Sequence, residues 1–310
     1  MKGVGTSLVS EPSLKLYSVS ESTGAIEFLT FTNPFIGDIV LDPLPTVFHA
    51  NEFLSRHFPA LETFTIANGQ ISLVQSFFDH FPSTTDVLAV DPTGRFIYGA
   101  DHLARDVSTG LYDLAVISRN ADGTAGALVN ATGHRLCPDV HELSAAAVMT
   151  KGNHSFLYHT CWFSSQLAYT EIDNTNGSVL GSGTNTSVPG VPGSSAGLSE
   201  SILLSADGTA LLVINSTANT LDIYAIDQTT GAPGPQPVNR IALGMHPLSL
   251  NLDASGQYVY VLGSPCAPFS TCTETGSVFA YKLAGGNLSP LPGSPFKAGM
   301  ASSAMTIVKF

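Results

Sequence analysis

One short pattern, written four times, limits what this chain can fold into more than any other feature. From Leu250 the sequence reads LNLDASGQYVYVLG, two alternating apolar segments around a polar turn at Asp253 to Gly256. Tyr258, Val259, Tyr260 and Val261 are aromatic or β-branched and suit a strand covered on both faces, so the segment predicts a β-hairpin. Ala89 onward gives AVDPTGRFIYGA, Leu203 onward LLSADGTALLVIN, and Val148 onward a degraded VMTKGNHSFLYHT. The turn glycines Gly94, Gly152, Gly208 and Gly256 recur at a period of roughly fifty residues, the mark of an array built from one supersecondary unit.

The two ends of the chain carry complementary deficits. Residues 2–31 read as three strands, KGVGTSLV, LKLYSVS and AIEFLTF, with no first strand before them. Ala304 to Phe310 (AMTIVKF) is an apolar strand with nothing after it. A circle of sheets in which the C-terminal strand pairs beside Gly3 to Val9 removes both deficits and leaves no long edge exposed. First strands are expected near Ile39, Val87, Ala145, Ile202, Leu250 and Met305. The expectation is therefore an all-β, single-domain propeller over residues 1–310, with six four-stranded blades by count and seven if one is degenerate. Outer hairpin turns fall at Ser22-Thr23-Gly24, Asn68-Gly69, Asp122-Gly123, Asn176-Gly177 and the Gly-Ala-Pro-Gly-Pro run from Gly231. The stretch GSGTNTSVPGVPGSSAG from Gly181 reads as a flexible surface linker.

Composition narrows the function classes. Only 12% of residues are charged and the formal net charge is −12, which argues against nucleic acid and anionic membranes as partners. No apolar run approaches the roughly 18 residues of a membrane span, and the first twenty residues lack the form of a signal peptide. Six Asn-x-Ser/Thr sites, at Asn130, Asn153, Asn176, Asn185, Asn215 and Asn287, lean toward an extracellular or periplasmic protein whose export signal has been removed. Cys266 and Cys272 flank one strand connection at a spacing that permits a loop disulfide and equally permits two thiols, while Cys137 and Cys161 read as buried thiols. A monomer without metal or cofactor is expected.

The opening GVGTSLV with LKLYSVSESTGAIEFL, the repeated D-x-x-G-x-Φ-x-Y units (Φ apolar) and the Y-x-Φ-D-x-x-T-G turn of Tyr224 to Gly231 resemble the lactonase-type propellers. That family includes 6-phosphogluconolactonases and fungal muconate cycloisomerases, and its repeats are similar to YVTN surface repeats. The resemblance covers nearly the whole chain and implies seven blades. It also implies a His before a D-P-x-G turn, an Arg after a Y-V-x-N strand and a Glu at the start of another inner strand. Here Asp86 stands five residues before Asp91 where the His belongs, Ser216 follows Asn215 where the Arg belongs, and Trp162 stands where an acidic residue often follows the inner strand. Glu200, in LSESILLS, lies one residue from the place of the Glu. With the cationic anchors replaced, a phosphorylated lactone is a poor fit.

In a propeller the segments entering each first strand converge on the axis, so polar residues there share one funnel. Those residues are Asp38, His80, Asp86, His141, Glu142, Glu200 and His246, with His102 and Arg105 flanking the rim. Asp86 or Glu200 is expected to activate water, and His141 or His246 to protonate a leaving oxygen, in the opening of a small cyclic ester. Asp38, Asp86 and Glu200 also offer hard oxygen ligands, but at no spacing that specifies a metal. His49 and His159, in second strands, read as packed, satisfied histidines. A non-catalytic propeller that binds a ligand or a protein through its loop face fits the same residues. The chain contains no phosphate-cradling Gly-rich loop and no zinc spacing.

Overall fold

The computed structural model describes residues 14–19, 26–32, 36–44, 46–52, 61–68, 70–77, 85–101, 114–130, 143–161, 166–187, 201–216, 218–253, 255–266 and 274–300. All regular elements among them are strands, and they form six antiparallel sheets, each built from consecutive strands. The first sheet is β1 (Leu14–Val19) with β2 (Ile26–Thr32). The second is β3 (Ile36–Leu41), β4 (Val47–Glu52), β5 (Leu61–Ala67) and β6 (Gln70–Phe77). The third is β7 (Thr85–Val90), β8 (Phe96–Asp101), β9 (Ala115–Arg119) and β10 (Ala125–Asn130). The fourth is β11 (Leu143–Lys151), β12 (His154–Cys161), β13 (Gln166–Asp173) and β14 (Val179–Ser187). The fifth is β15 (Ile202–Leu204), β16 (Ala210–Asn215), β17 (Thr220–Ala225) and β18 (Asn239–Ala242). The sixth is β19 (His246–Leu252), β20 (Tyr258–Ser264), β21 (Thr275–Ala284) and β22 (Asn287–Pro290), with β23 (Phe296–Met300) also paired to β21.

Five of the six expected first strands are present, containing Ile39, Val87, Ala145, Ile202 and Leu250. The sixth, at Met305, and its partner at Gly3 to Val9 lie outside the described residues. One expectation needs correction. The run from Gly181 is strand β14 as far as Ser187, because an outermost strand needs only backbone pairing to β13, which Gly, Ser and Thr supply as well as apolar residues do.

The sheets stack face to face in chain order, and alternation along each second strand explains how. Ile97 packs back against Leu61 and Phe77, while its neighbours Phe96 and Tyr98 pack forward against Leu157 and Ile172. Leu211 and Val213 pack back against Phe156 and Tyr158, while Leu212 and Ile214 pack forward against Leu250, Val259 and Val261. Period-two side chains therefore serve two interfaces from one strand, which is why these strands are apolar on both faces. First strands lie beside first strands, β3 against β7, β7 against β11, β11 against β15 and β15 against β19. The turns that end them are also neighbours. A Cβ on Gly94 would lie 3.9 Å from Pro43, one on Gly208 would lie 3.2 Å from Met149 Sδ, and one on Gly256 would overlap Ala206. The first strands therefore all run the same way about a common axis, with their turns at one end and their beginnings at the other, as in a propeller.

A second contact recurs at the outer turns. Gly123, Gly177 and Gly231, each at positive φ, press onto the preceding sheet at Val47, Phe96 and Phe156 respectively. At Gly123 and Gly231 there is room for backbone alone, and at Gly177 an added Cβ would sit tightly, 3.1 Å from Phe96, Val116 and Val129. A Cβ on Gly123 would sit 2.8 Å from Val47 Cγ1, and one on Gly231 would run into the Phe156 ring.

Candidate functional site

The beginnings of the axis strands carry the polar residues that the sequence singles out. Asp38 is the third residue of β3, Asp86 the second of β7, where it pairs with Ala100, and His246 the first of β19. His141 and Glu142 immediately precede β11, and Glu200 stands two residues before β15; these three lie outside the described residues, as do His80, His102 and Arg105. Near its beginning the first strand shifts register against the second in four of the five sheets, between Ile36 and Ile39, Val87 and Ala89, Leu143 and Ala145, and Pro247 and Ser249. Such bulges bend a strand and re-aim its side chains, a frequent device at the rim of a site. In the described first strands no Lys or Arg precedes Lys151, which closes β11 at the turn end. The axis strands thus bring carboxylate-bearing positions to one end and no cation.

His246 has a defined role there. Its Nδ1 donates to the carbonyl of Ser216, 3.0 Å away at the end of β16, which fixes Nδ1 as a protonated nitrogen and ties the fifth sheet to the sixth. Its Nε2 is withdrawn from solvent, so the ring is part of the wall. Ser216 stands where the family resemblance puts an Arg, and it contributes a backbone oxygen in place of a guanidinium. Cys266 is disulfide-bonded, and Cys272 lies outside the described residues.

A more fully defined constellation lies at the opposite end. His49 Nε2 donates to Asp42 Oδ2 at 3.0 Å, and Thr63 Oγ1 is 3.2 Å from His49 Nδ1, where its hydroxyl donates. Hydroxyl, imidazole and carboxylate in line have the connectivity of a nucleophilic triad. No substrate reaches it, because Thr63 and His49 are 0% exposed and Asp42 7%. Its role is to join two sheets. Arg119, the last residue of β9 in the third sheet, donates to both Asp42 oxygens, with Nε to Oδ2 at 2.6 Å, and Leu44 N donates to Oδ1 at 2.8 Å. Burial alone would raise Asp42, but the Arg119 guanidinium, the Leu44 amide and His49 outweigh it and hold the carboxyl below its ordinary value. Burial pushes the His49 imidazole down, Asp42 opposes that, and the charge of Arg119 adds to it. His49 is therefore neutral.

Both shifts make the protein sensitive to acid. An unfolded His takes up its proton near pH 6.5 while folded His49 does not, so its contribution is complete above that pH and is lost as the pH falls toward the folded value. Asp42, also lowered, contributes above its ordinary value of 3.8 and loses that contribution at still lower pH. The thermal midpoint is expected to fall between about pH 7 and about pH 5, and His49→Gln to flatten that fall. Melting curves across that range check it; equal slopes in the two proteins contradict it.

Asp91 plays the same part between the third and fourth sheets with neutral partners. Its buried carboxylate accepts from Thr93 N at 2.7 Å, Ser155 Oγ at 2.9 Å, Thr150 Oγ1 at 3.2 Å and Tyr98 OH at 3.3 Å. The neighbouring cleft of about 390 Å³, lined by Met149, Lys151, Ser205, Asp207 and Gln228, also opens at the turn end. Its polar groups serve the turns, since Lys151 donates to Gln228 O, Gln228 Nε2 to Gly208 O, and Asp207 accepts from Ser205 and Thr209. Among the described residues no three His, Cys, Asp or Glu side chains are arranged to hold a metal, and no helix is long and apolar enough to cross a membrane.

Reading the sequence missed the Asp42–Arg119 pair and the glycine contacts of the outer turns. The D-P dipeptides at Asp42 and Asp91 mark the two carboxylates, but nothing local marks a guanidinium 77 positions away. The packed histidine expected at His49 is present, with partners that satisfy both nitrogens.

Residues 146–291 match a family model described as Lactonase, 7-bladed beta-propeller. No curated protein sequence is significantly similar to the chain. Among solved structures it is similar to a candidate 6-phosphogluconolactonase of Bacteroides uniformis, with 16% identity, 95% of each chain covered and a TM-score of 0.54. A protein of unknown function from Desulfotomaculum acetoxidans shares 13% identity over 93% of this chain and 81% of its own, with a TM-score of 0.57. The periplasmic gluconolactonase of Pseudomonas aeruginosa shares 15% identity over 92% of this chain and 93% of its own, with a TM-score of 0.50. At these identities the structural likeness is one of fold.

Proposed function

We propose that this β-propeller of the lactonase type is a lactonase-like hydrolase or isomerase that opens a small, unphosphorylated cyclic ester at the end where its axis strands begin. The observation that carries the reading is the placement of Asp38, Asp86 and His246 within the first three residues of three axis strands that run in one direction. The absence of Lys and Arg from the described first strands ahead of Lys151 supports a neutral substrate over a phosphorylated one.

In the hydrolytic reading, Asp86 or Glu200 takes a proton from a water molecule as its oxygen attacks the lactone carbonyl. The tetrahedral intermediate collapses by breaking the bond from the carbonyl carbon to the ring oxygen, and His141 protonates that oxygen to release a hydroxy acid. His246, held by Ser216, shapes the wall beside it. Asp38, His80 and Glu142 line the funnel, and His102 with Arg105 borders its rim. The Cys266 disulfide supports an oxidising, extracellular or periplasmic setting, with Cys272 as the proposed partner.

Hydrolysis of a panel of unphosphorylated sugar lactones tests this. The native protein is expected to be active, and Asp86→Ala or Glu200→Ala to lose on the order of 10²–10⁴-fold in kcat. Inactivity of the native protein toward the whole panel overturns the enzymatic reading and favours the second one, a propeller that binds a ligand or protein through its loop face.

A further inference from the structure

The Asn-x-Ser/Thr motifs differ sharply in burial once the sheets are in place. Gly152 and Asn153 form the turn between β11 and β12, and Asn153 is exposed there at the turn end of the axis. Asn176 is exposed in the turn between β13 and β14, and because consecutive strands alternate in direction this turn lies at the same end. The two turns are neighbours, since Asn174 N donates to Asn153 O at 2.7 Å. Toward the other end the motifs are closed in. Asn215, the last residue of β16, is 1% exposed and its Oδ1 accepts from Ala218 N at 2.8 Å, and Asn130, the last residue of β10, is half-buried. The side chain of Asn185, in β14, lies outside the described residues.

Both turn-end asparagines have an amide free to carry a sugar. A Cβ on Gly152, next to Asn153, would meet no atom within 4 Å, so that turn faces open space. Asn176 uses one of its two Nδ2 hydrogens on Asp173 Oδ2 at 3.2 Å, while its Oδ1 accepts from Ser178 N at 2.8 Å, which leaves the second hydrogen unused. Asn287, in the turn between β21 and β22, is exposed as well, but Pro290 restricts the backbone of Ser289 even in the unfolded chain, and transfer needs the Ser hydroxyl to fold back on the Asn amide. A glycan on Asn215 would have to fit where the side chain is enclosed by protein, which the folded chain does not allow.

We propose that Asn153 and Asn176 are N-glycosylation sites of the exported protein, so that the turn end of the fourth sheet is its sugar-bearing face. In the transfer, Asn Nδ2 bonds to the anomeric carbon of an oligosaccharide carried on a lipid diphosphate. The bond from that carbon to the diphosphate oxygen breaks, one proton leaves Nδ2, and the lipid diphosphate departs. The proposal rests on the oxidising export setting read from the Cys266 disulfide and not on the hydrolytic reading. The two sugars hydrate the turn end and stand away from the end where the axis strands begin with Asp38, Asp86 and His246.

The full chain, secreted from a eukaryotic host behind an added signal peptide, provides the test. After enzymatic release of N-glycans in heavy-oxygen water, peptide mapping is expected to find the label at positions 153 and 176 and none at 215. Asn153→Gln and Asn176→Gln are each expected to remove the mass of one glycan from the secreted protein. A missing label at either position, or a glycan at Asn215, overturns the proposal. Because the signal is added, the result reads the acceptors alone, whatever the lactone panel shows. Protein made without glycosylation gives a second reading that needs no secretion. Asn153→Cys and Asn176→Cys are expected to react with a bulky maleimide in the folded state, and Asn215→Cys only after denaturation; equal rates at the three positions overturn the proposal.

Discussion

Replacing Arg119 by leucine is expected to destabilise the protein by about 3–5 kcal/mol, the range seen when one partner of a buried ion pair is removed. The reason is what remains. Asp42 and Arg119 have side-chain exposures of 0% and 6%, so the variant leaves a carboxylate buried between two sheets with its two guanidinium bonds gone. Leu44 N and His49 still donate to it, and neither brings a charge. His154→Ala is the internal control. That histidine lies 2.6 Å from Glu171, but the two are 49% and 30% exposed, and surface pairs contribute about 0–1 kcal/mol. Urea midpoints of the two variants check this, and comparable losses in both contradict it.

Gly231→Ala is expected to lose about 2–4 kcal/mol. Adopting positive φ with a side chain costs about 1 kcal/mol, and forcing a methyl group into a filled interface adds about 1–3 kcal/mol. Gly231 sits at φ 69° with the Phe156 ring where its Cβ would be. Gly152, at φ 59°, has open space there, so Gly152→Ala is expected to show the backbone cost alone, about 1 kcal/mol. The difference between the two variants measures the contact between sheets. Equal losses would mean that the outer turns do not hold adjacent sheets together.

These two variants also mark where the sequence stops being readable. Hairpins such as Asp253 to Gly256 are local, because their turn residues and alternating strands are adjacent in the chain, and the structure has them in place. The first strands could be enumerated for the same reason. Arg119 was invisible because its carboxylate belongs to another repeat, and the outer-turn glycines because the turn type is local while the residue they press on is one unit back. The edge strand β14 was hidden by composition, since Gly181 to Ser187 bond through backbone groups that no side-chain pattern betrays. For the candidate site, strand register was enough to put Asp38, Asp86 and His246 at one end of the axis. It did not foresee that His246 Nδ1 would be held by the Ser216 carbonyl, a contact made across two sheets.

Whether chemistry takes place where β3, β7, β11, β15 and β19 begin is decided by a crystal structure of Asp86→Asn soaked with glucono-δ-lactone. Ligand density is expected at that end of the axis, within hydrogen-bonding reach of residue 86 and the start of β15. Density confined to the turn end beside Lys151 and Asp207, or none at concentrations at which the native protein turns the lactone over, would contradict it.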